Sequence, residues 1–198
     1  MGQRTYHHKD LKNALINAAL AVVERNGPEA VSLRELAAQV GVSRAAPYRH
    51  FADRDALLAA VAACGFEDLC AIYTAALAGA GTGRERLRAS LVAYLDFARQ
   101  RQGLHALMFK SDFLGRTPPP AVLIPPANRA YELLWEGVRG AFPRAGETWI
   151  KARTVTMMST VVGFLVLDES GRFKPFMIAP MTREDLVQAV LEAAIGQA

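Results

Sequence analysis

Cysteine is nearly missing from this chain of 198 residues, which has only Cys64 and Cys70. Six residues apart in one predicted helix, the two side chains point to different faces, so we expect no disulfide between them. Neither has His or acidic partners at the spacing of metal ligands. The sequence therefore predicts no metal site, and no pattern in it calls for a cofactor.

Long apolar runs are also scarce. The N-terminal segment "MGQRTYHHKDL" lacks the apolar core of a signal peptide. The longest run, "VTMMSTVVGFLVL" at 155–167, contains Ser and Thr and is shorter than the ~18 residues of a membrane span. We therefore expect a cytoplasmic protein that has no membrane partner.

Two further absences narrow the class of protein. No strand-period alternation persists beyond a few residues, and no Ser/His/Asp, Cys/His, paired-carboxylate or phosphate-loop pattern stands out. With 52% apolar and 21% charged residues, the composition is typical of a globular chain. The net charge of +4 is only weak evidence for a nucleic-acid partner. These features favour an all-α protein that is not an enzyme.

What the sequence does contain is a series of helix-capping signals, among them "SLRE" at 32–35 and "TGRE" at 82–85. Gly27-Pro28 is typical of a helix C-terminus. The proline-rich stretch "RTPPPAVLIPP" is predicted to be a loop. The pattern predicts about nine helices, at 9–26, 32–39, 43–51, 54–77, 84–101, 103–114, 127–141, 147–168 and from 182 onward.

The short segment "GVSRAAPYRHF" at 41–51 follows the second predicted helix through a glycine turn. Two short helices joined in this way form a helix-turn-helix, whose second helix enters the DNA major groove. On an α-helical wheel starting at Arg44, the side chains of Arg44, Ala45, Tyr48 and Arg49 share one outward arc, and Pro47 lies inward. The alternative is a surface helix whose arginines are merely solvated.

The wider stretch "VSLRELAAQVGVSRAAPYRHFADRDALLAAV" at 31–61 resembles the DNA-binding domain of the TetR family of bacterial transcription regulators. The likeness extends over about residues 9 to 62 and includes the capped second helix, the "GVS" turn and the aromatic-basic-His-Phe ending. It implies phosphate contacts from Ser32, Tyr48, His50 and Arg54. It also implies positions near base edges or the adjacent DNA backbone for Arg34, Ser43, Arg44, Ala45 and Arg49. Pro47 departs from the family, which more often has an apolar residue such as Leu here.

The resemblance implies a helix-turn-helix three-helix domain at 1–52, and a C-terminal helical domain at 53–198 that binds an effector and dimerises. Most aromatic and Met residues of the second domain are expected in its core, but such side chains also suit an apolar ligand pocket. The candidate pocket residues are Met108, Phe109, Phe113, Tyr131, Trp135, Met157 and Met158.

The last two long helices carry broad apolar stripes. The resemblance implies that they form a four-helix bundle with the same helices of a second copy. The alternative is that they close the core of a single chain. The candidate interface residues are Val155, Val162, Leu186, Val187, Val190 and Leu191.

Together these features predict a homodimeric repressor that binds a palindromic double-stranded DNA operator and is released by a small, mostly apolar effector. The first alternative is an activator or an architectural DNA-binding protein without an effector. The second is a helical enzyme, which the missing catalytic patterns disfavour.

Overall fold

The computed structural model describes residues 8–109, 111–112, 115–116 and 118–196, and the side chains from residue 11 onward. This part of the chain is all-α, as predicted, and contains nine α-helices and two 3₁₀ turns. The helices are α1 (His8–Asn26), α2 (Leu33–Gln39), α3 (Arg54–Leu77), α4 (Gly83–Gln100), α5 (Gln102–Phe109), α6 (Ile124–Ala141), α7 (Glu147–Glu169), α8 (Pro175–Ile178) and α9 (Arg183–Ile195).

The chain forms two compact units, and the first comprises Met1–Asp68 and Gln100–Asn128. In this unit α1 packs against α2 and α5. A Cβ atom at Gly103 would collide with the carbonyl of Val23, so glycine is needed where α5 meets α1. The carboxylate of Glu24 accepts hydrogen bonds from the Arg101 guanidinium, at 2.6 Å, and from the Gly103 amide, at 3.2 Å. These contacts fix the helices that carry the N-terminal motif.

The second unit comprises Leu69–Arg99 and Arg129–Ala198. Here α7 packs against α9, and the start of α4 approaches the end of α6 where Gly83 lies against the backbone of Gly140. At the start of α9, Thr182 and Asp185 form the predicted capping box, each side chain binding the other's backbone N–H. The predicted division at residues 52 and 53 stays a prediction.

Four parts of the helix pattern differ from the sequence prediction, and the first is the short helix α8 (Pro175–Ile178), which was not predicted. The segment 43–51 is not an α-helix: only the 3₁₀ turn Pro47–Arg49 forms there. Helix α5 ends at Phe109 rather than near residue 114, and Leu114 lies outside the described residues. Helix α6 begins at Ile124 rather than near 127, because Pro125 and Pro126 occupy its first turn, where no backbone N–H is needed within the helix.

Two helices, α3 and α7, are long and apolar enough to cross a membrane by length and composition alone. The apolar window of α3 is 61% buried inside the protein, as in the core helix of a globular domain. The window of α7 is only 33% buried. The sequence argument counted only the uninterrupted apolar run, and so did not recognise that both helices are apolar over a longer window. Several apolar side chains of α7 are exposed within its own chain.

Candidate nucleic-acid interface

The motif begins with α2, whose N-terminus is capped by Ser32. Its hydroxyl accepts a hydrogen bond from the Glu35 amide at 3.5 Å, which is half of the predicted reciprocal pair. Leu36 and Ala37 are buried. At the other end Gly41 has φ +76°, and the Val42 amide donates to the Ala37 carbonyl at 2.9 Å. This is the left-handed glycine turn that ends a helix and redirects the chain.

After the turn, the backbone forms no α-helix, and only Pro47–Arg49 is a 3₁₀ turn. The Phe51 amide makes one bond of α type, to the Pro47 carbonyl at 3.0 Å. The Ala46 amide donates to the Ser43 carbonyl at 3.0 Å, and the Arg49 amide donates to the Ala46 carbonyl at 3.2 Å. Pro47 is buried and has no N–H, so the α-helical bond from residue 47 to Ser43 cannot form. The predicted helix capped by Ser43 is therefore wrong, although the segment still turns the same residues outward.

Six of the nine predicted DNA contacts are exposed together on this surface. The guanidinium groups of Arg34, Arg44 and Arg49 make no hydrogen bond or ion pair within the described part of the chain. Tyr48 is 57% exposed between them. Unpaired cations beside an exposed aromatic ring are suited to phosphate oxygens and base edges. The six residues are Arg34, Ser43, Arg44, Ala45, Tyr48 and Arg49.

The other three predicted contacts are held more closely. Ser32 is half-buried and caps α2, and His50 is half-buried just before the buried Phe51. Arg54 stands in the first turn of α3 and donates from Nε to the Val31 carbonyl at 3.0 Å and from a terminal nitrogen to the Pro28 carbonyl. Arg54 thus joins α3 to the segment between α1 and α2. The sequence did not predict this role, and the phosphate contact of Arg54 stays a prediction.

Sequence reasoning also missed the neighbours of Arg54. Asp53 caps α3 by accepting from the Ala56 amide at 2.7 Å, as predicted, but Asp55 pairs with Arg116 at 3.0 Å. Hydrogen bonds from Arg116 to Asp112 and Asp55 raise the pKa of the Arg116 guanidinium above its usual range. No spacing rule could find this pair, because its members are 61 residues apart.

The candidate ligand residues are distributed over both units. In the first unit, Met108 is buried, and Phe109 packs edge-on against Phe66 with ring centroids 5.6 Å apart. In the second unit, Met157 is buried, Tyr131 is half-buried and Met158 is 37% exposed. Phe113 lies outside the described residues. Their assignment to one ligand pocket stays a prediction.

Trp135, the remaining candidate, has two cations over its ring. The Arg139 guanidinium is 4.7 Å and the Lys151 ammonium 5.2 Å from the ring centroid. This cation–π arrangement stabilises the indole at the surface of α6 and gives it a basic neighbourhood. The environment of Trp135 is therefore not strictly apolar.

The candidate interface residues lie on α7 and α9. Val155 is 48% exposed, while Val162, Leu186 and Val190 are half-buried. Val187 and Leu191 line a cavity against α4, and Leu191 is fully buried within the chain. A partner helix could therefore gain area from Val155, Leu186 and Val190, but none from Leu191.

Comparison with known proteins places these features in a family. Residues 15–61 match the model described as bacterial regulatory proteins, tetR family, and residues 87–194 match tetracyclin repressor-like, C-terminal domain. A solved structure of a protein with unknown function from Rhodococcus sp. RHA1 has a TM-score of 0.80 and 28% identity, covering 98% of this chain and 97% of that one.

Two curated relatives are more distant. The HTH-type transcriptional activator FasR of Mycolicibacterium smegmatis is 30% identical over 103 residues, which are 52% of this chain and 47% of FasR. The nucleoid occlusion factor SlmA of Sodalis glossinidius is 29% identical over 121 residues, 58% of this chain and 61% of SlmA. The chain thus spans about half to three fifths of the length of these relatives. The second family model alone matches more than half of the chain, and the chain belongs to the TetR family of bacterial regulatory proteins.

Proposed function

We propose that the protein is a ligand-responsive repressor that binds a palindromic operator as a homodimer and is released by a small, mostly apolar effector. The observation that carries the proposal is the set of three unpaired arginines, Arg34, Arg44 and Arg49, around exposed Tyr48. Each cation can displace a counterion from a phosphate, which gives affinity and register on the duplex.

The dimer in this proposal is supported by α7. Only 33% of its apolar window is buried within one chain, and Val155, Val166 and Leu167 are exposed on it. Exposed apolar surface of this kind is typical of a protein interface. A two-fold dimer would present its two recognition segments to half-sites about 34 to 36 Å apart.

Effector release follows from population shift. A ligand that binds better to a dimer whose recognition segments no longer match two half-sites lowers the affinity for DNA. By reciprocity the operator lowers the affinity for the ligand by the same factor. The C-terminal match, described as tetracyclin repressor-like, supports this interpretation.

The test is selection of bound duplexes from a random library, followed by a reporter assay. An inverted repeat should be recovered, and placing it over a promoter should reduce transcription until an effector is added. Recovery of no preferred sequence would favour an architectural role, which the likeness to a nucleoid occlusion factor keeps open. Increased transcription from the same reporter would favour an activator, as FasR is named.

A further inference from the structure

A cavity of about 420 Å³ lies between α4 and the segment 183–191 of α9, wholly within the second unit. Its α4 wall comes from positions 92, 95, 96 and 99, and its α9 wall from 183, 184, 187, 188 and 191. Both sets follow the three- and four-residue spacing of one helix face. The volume is within the range of ~300 to 1,000 Å³ that is typical of small-molecule sites.

The two helices run antiparallel and are tied together at one end of their contact. The Arg88 guanidinium donates to the Gln188 side-chain oxygen, and the Arg84 guanidinium donates to the Gly196 carbonyl. The cavity extends from Gln188 away from the second tie, toward the end of α4 and the start of α9. The cavity therefore lies at the end of the helix pair that these two hydrogen bonds do not hold together.

The inner part of the cavity is apolar. Leu95 is 1% exposed and Leu191 is fully buried, and both line the space. Val92 and Val187 extend the apolar lining and are half-buried. An apolar chain or ring placed here would lose water-exposed surface, which is the main driving force for binding such groups.

In the polar part of the lining, the cation of Arg99 has no ion-pair partner among the described residues. Arg99 has a buried Nε–H without an acceptor, and within the described residues its guanidinium forms no ion pair. Arg183 differs, because it is paired with Asp168. A buried donor without a partner is costly, and an anion supplied by a ligand would satisfy it.

The charge of the ligand is limited by the other lining residues. Asp96 and Glu184 are exposed carboxylates at the same cavity and would repel a ligand of high negative charge. We propose that this cavity binds amphipathic monocarboxylates, with the carboxylate on Arg99 and the apolar body among Val92, Leu95 and Val187.

The proposal is tested with sodium decanoate as the probe, by calorimetric titration of the DNA-free protein. The comparison ligand is 1-decanol, which has the same apolar chain and no charge. The variant Arg99→Gln removes the cation, and Val187→Phe fills the apolar part. Arg86→Gln, on the same helix but outside the cavity, is the matched control. Circular dichroism checks that each variant is folded.

We expect one decanoate per chain and at least tenfold weaker binding of decanol. Arg99→Gln should weaken decanoate at least tenfold and leave decanol unchanged, Val187→Phe should weaken both, and Arg86→Gln should alter neither. Absence of decanoate binding, or equal decanoate affinity in wild type and folded Arg99→Gln, would overturn the proposal. If Arg99→Gln does not fold, undiminished binding to Val187→Phe would overturn it instead. Because no DNA is present, these outcomes are independent of whether the protein is a repressor.

Discussion

We expect that replacing Arg54 by Met destabilises the first unit rather than removing a phosphate contact. The side chain donates to the carbonyls of Val31 and Pro28, so it joins the first turn of α3 to the segment between α1 and α2. Methionine has a similar length but no donor. The substitution therefore breaks both bonds. The Val31 carbonyl loses its Arg54 donor, whereas the Pro28 carbonyl keeps the bond from the Val31 amide.

The size of the effect follows from the number of bonds and their exposure. A hydrogen bond from a charged group contributes ~1.5 to 3 kcal/mol, and the side chain of Arg54 is 40% exposed, which favours the lower end of this range. Two such bonds at the lower end correspond to about 3 kcal/mol. For a chain of this size, 1 kcal/mol shifts the melting temperature by ~2 to 4 °C. We therefore expect a decrease of about 6 to 12 °C.

The matched control is Arg49→Met, since Arg49 is exposed and makes no hydrogen bond or ion pair within the described residues. Its melting temperature should stay unchanged. Operator affinity is then measured against salt, with the duplex obtained by selection. Arg49→Met should reduce the slope of log K against log salt by ~0.9 for each phosphate that the variant no longer neutralises, and Arg54→Met should not. An unchanged melting temperature together with a reduced salt slope for Arg54→Met would refute the reasoning.

Three further predictions concern other parts of the chain. Pro47→Leu gives residue 47 an N–H for the Ser43 carbonyl, so circular dichroism should show added α-helix and selection should return a different half-site; an identical half-site would contradict this. Val190→Asp should weaken the dimer, because burying an unpaired charge is unfavourable. Sedimentation at micromolar concentration should show a monomer. A stable dimer of this variant would mean that Val190 is not in the interface. Hydrogen bonds from Thr182 lower the pKa of Asp185. The ionised Asp185 side chain should therefore stabilise the fold above pH ~4, and this stabilisation should disappear as the pH falls further. Asp185→Asn should reduce the drop in melting temperature between pH ~6 and ~3.

Local chemistry made several helix termini predictable. Ser32, Asp53 and Thr182 each accept a hydrogen bond from a backbone amide three residues later, which depends only on residues close in sequence. The starts of α2, α3 and α9 were therefore predicted correctly. The same holds for the exposed Arg44 and Arg49, whose outward direction follows from the buried Pro47 between them.

Contacts between distant segments could not be predicted in this way. The sequence marks Arg54 as a basic residue beside the motif, but its two acceptors are 23 and 26 residues away, and only the folded chain brings them together. The cavity beside Arg99 depends in the same way on residues of α4 and α9 that are 84 to 99 positions apart. Spacing rules describe one helix face and cannot show which second helix covers it.

The 3₁₀ turn at Pro47 leaves the outward direction of the neighbouring side chains nearly unchanged. With three residues per turn, Tyr48 and Arg49 leave the backbone about 120° to either side of the buried Pro47, so both are exposed. Neighbouring side chains of an α-helix are ~100° apart, so the angle between Tyr48 and Arg49 differs by only ~20° between the two geometries. The main effect of Pro47 is therefore on the backbone before it, where the α-helical bond to the Ser43 carbonyl cannot form.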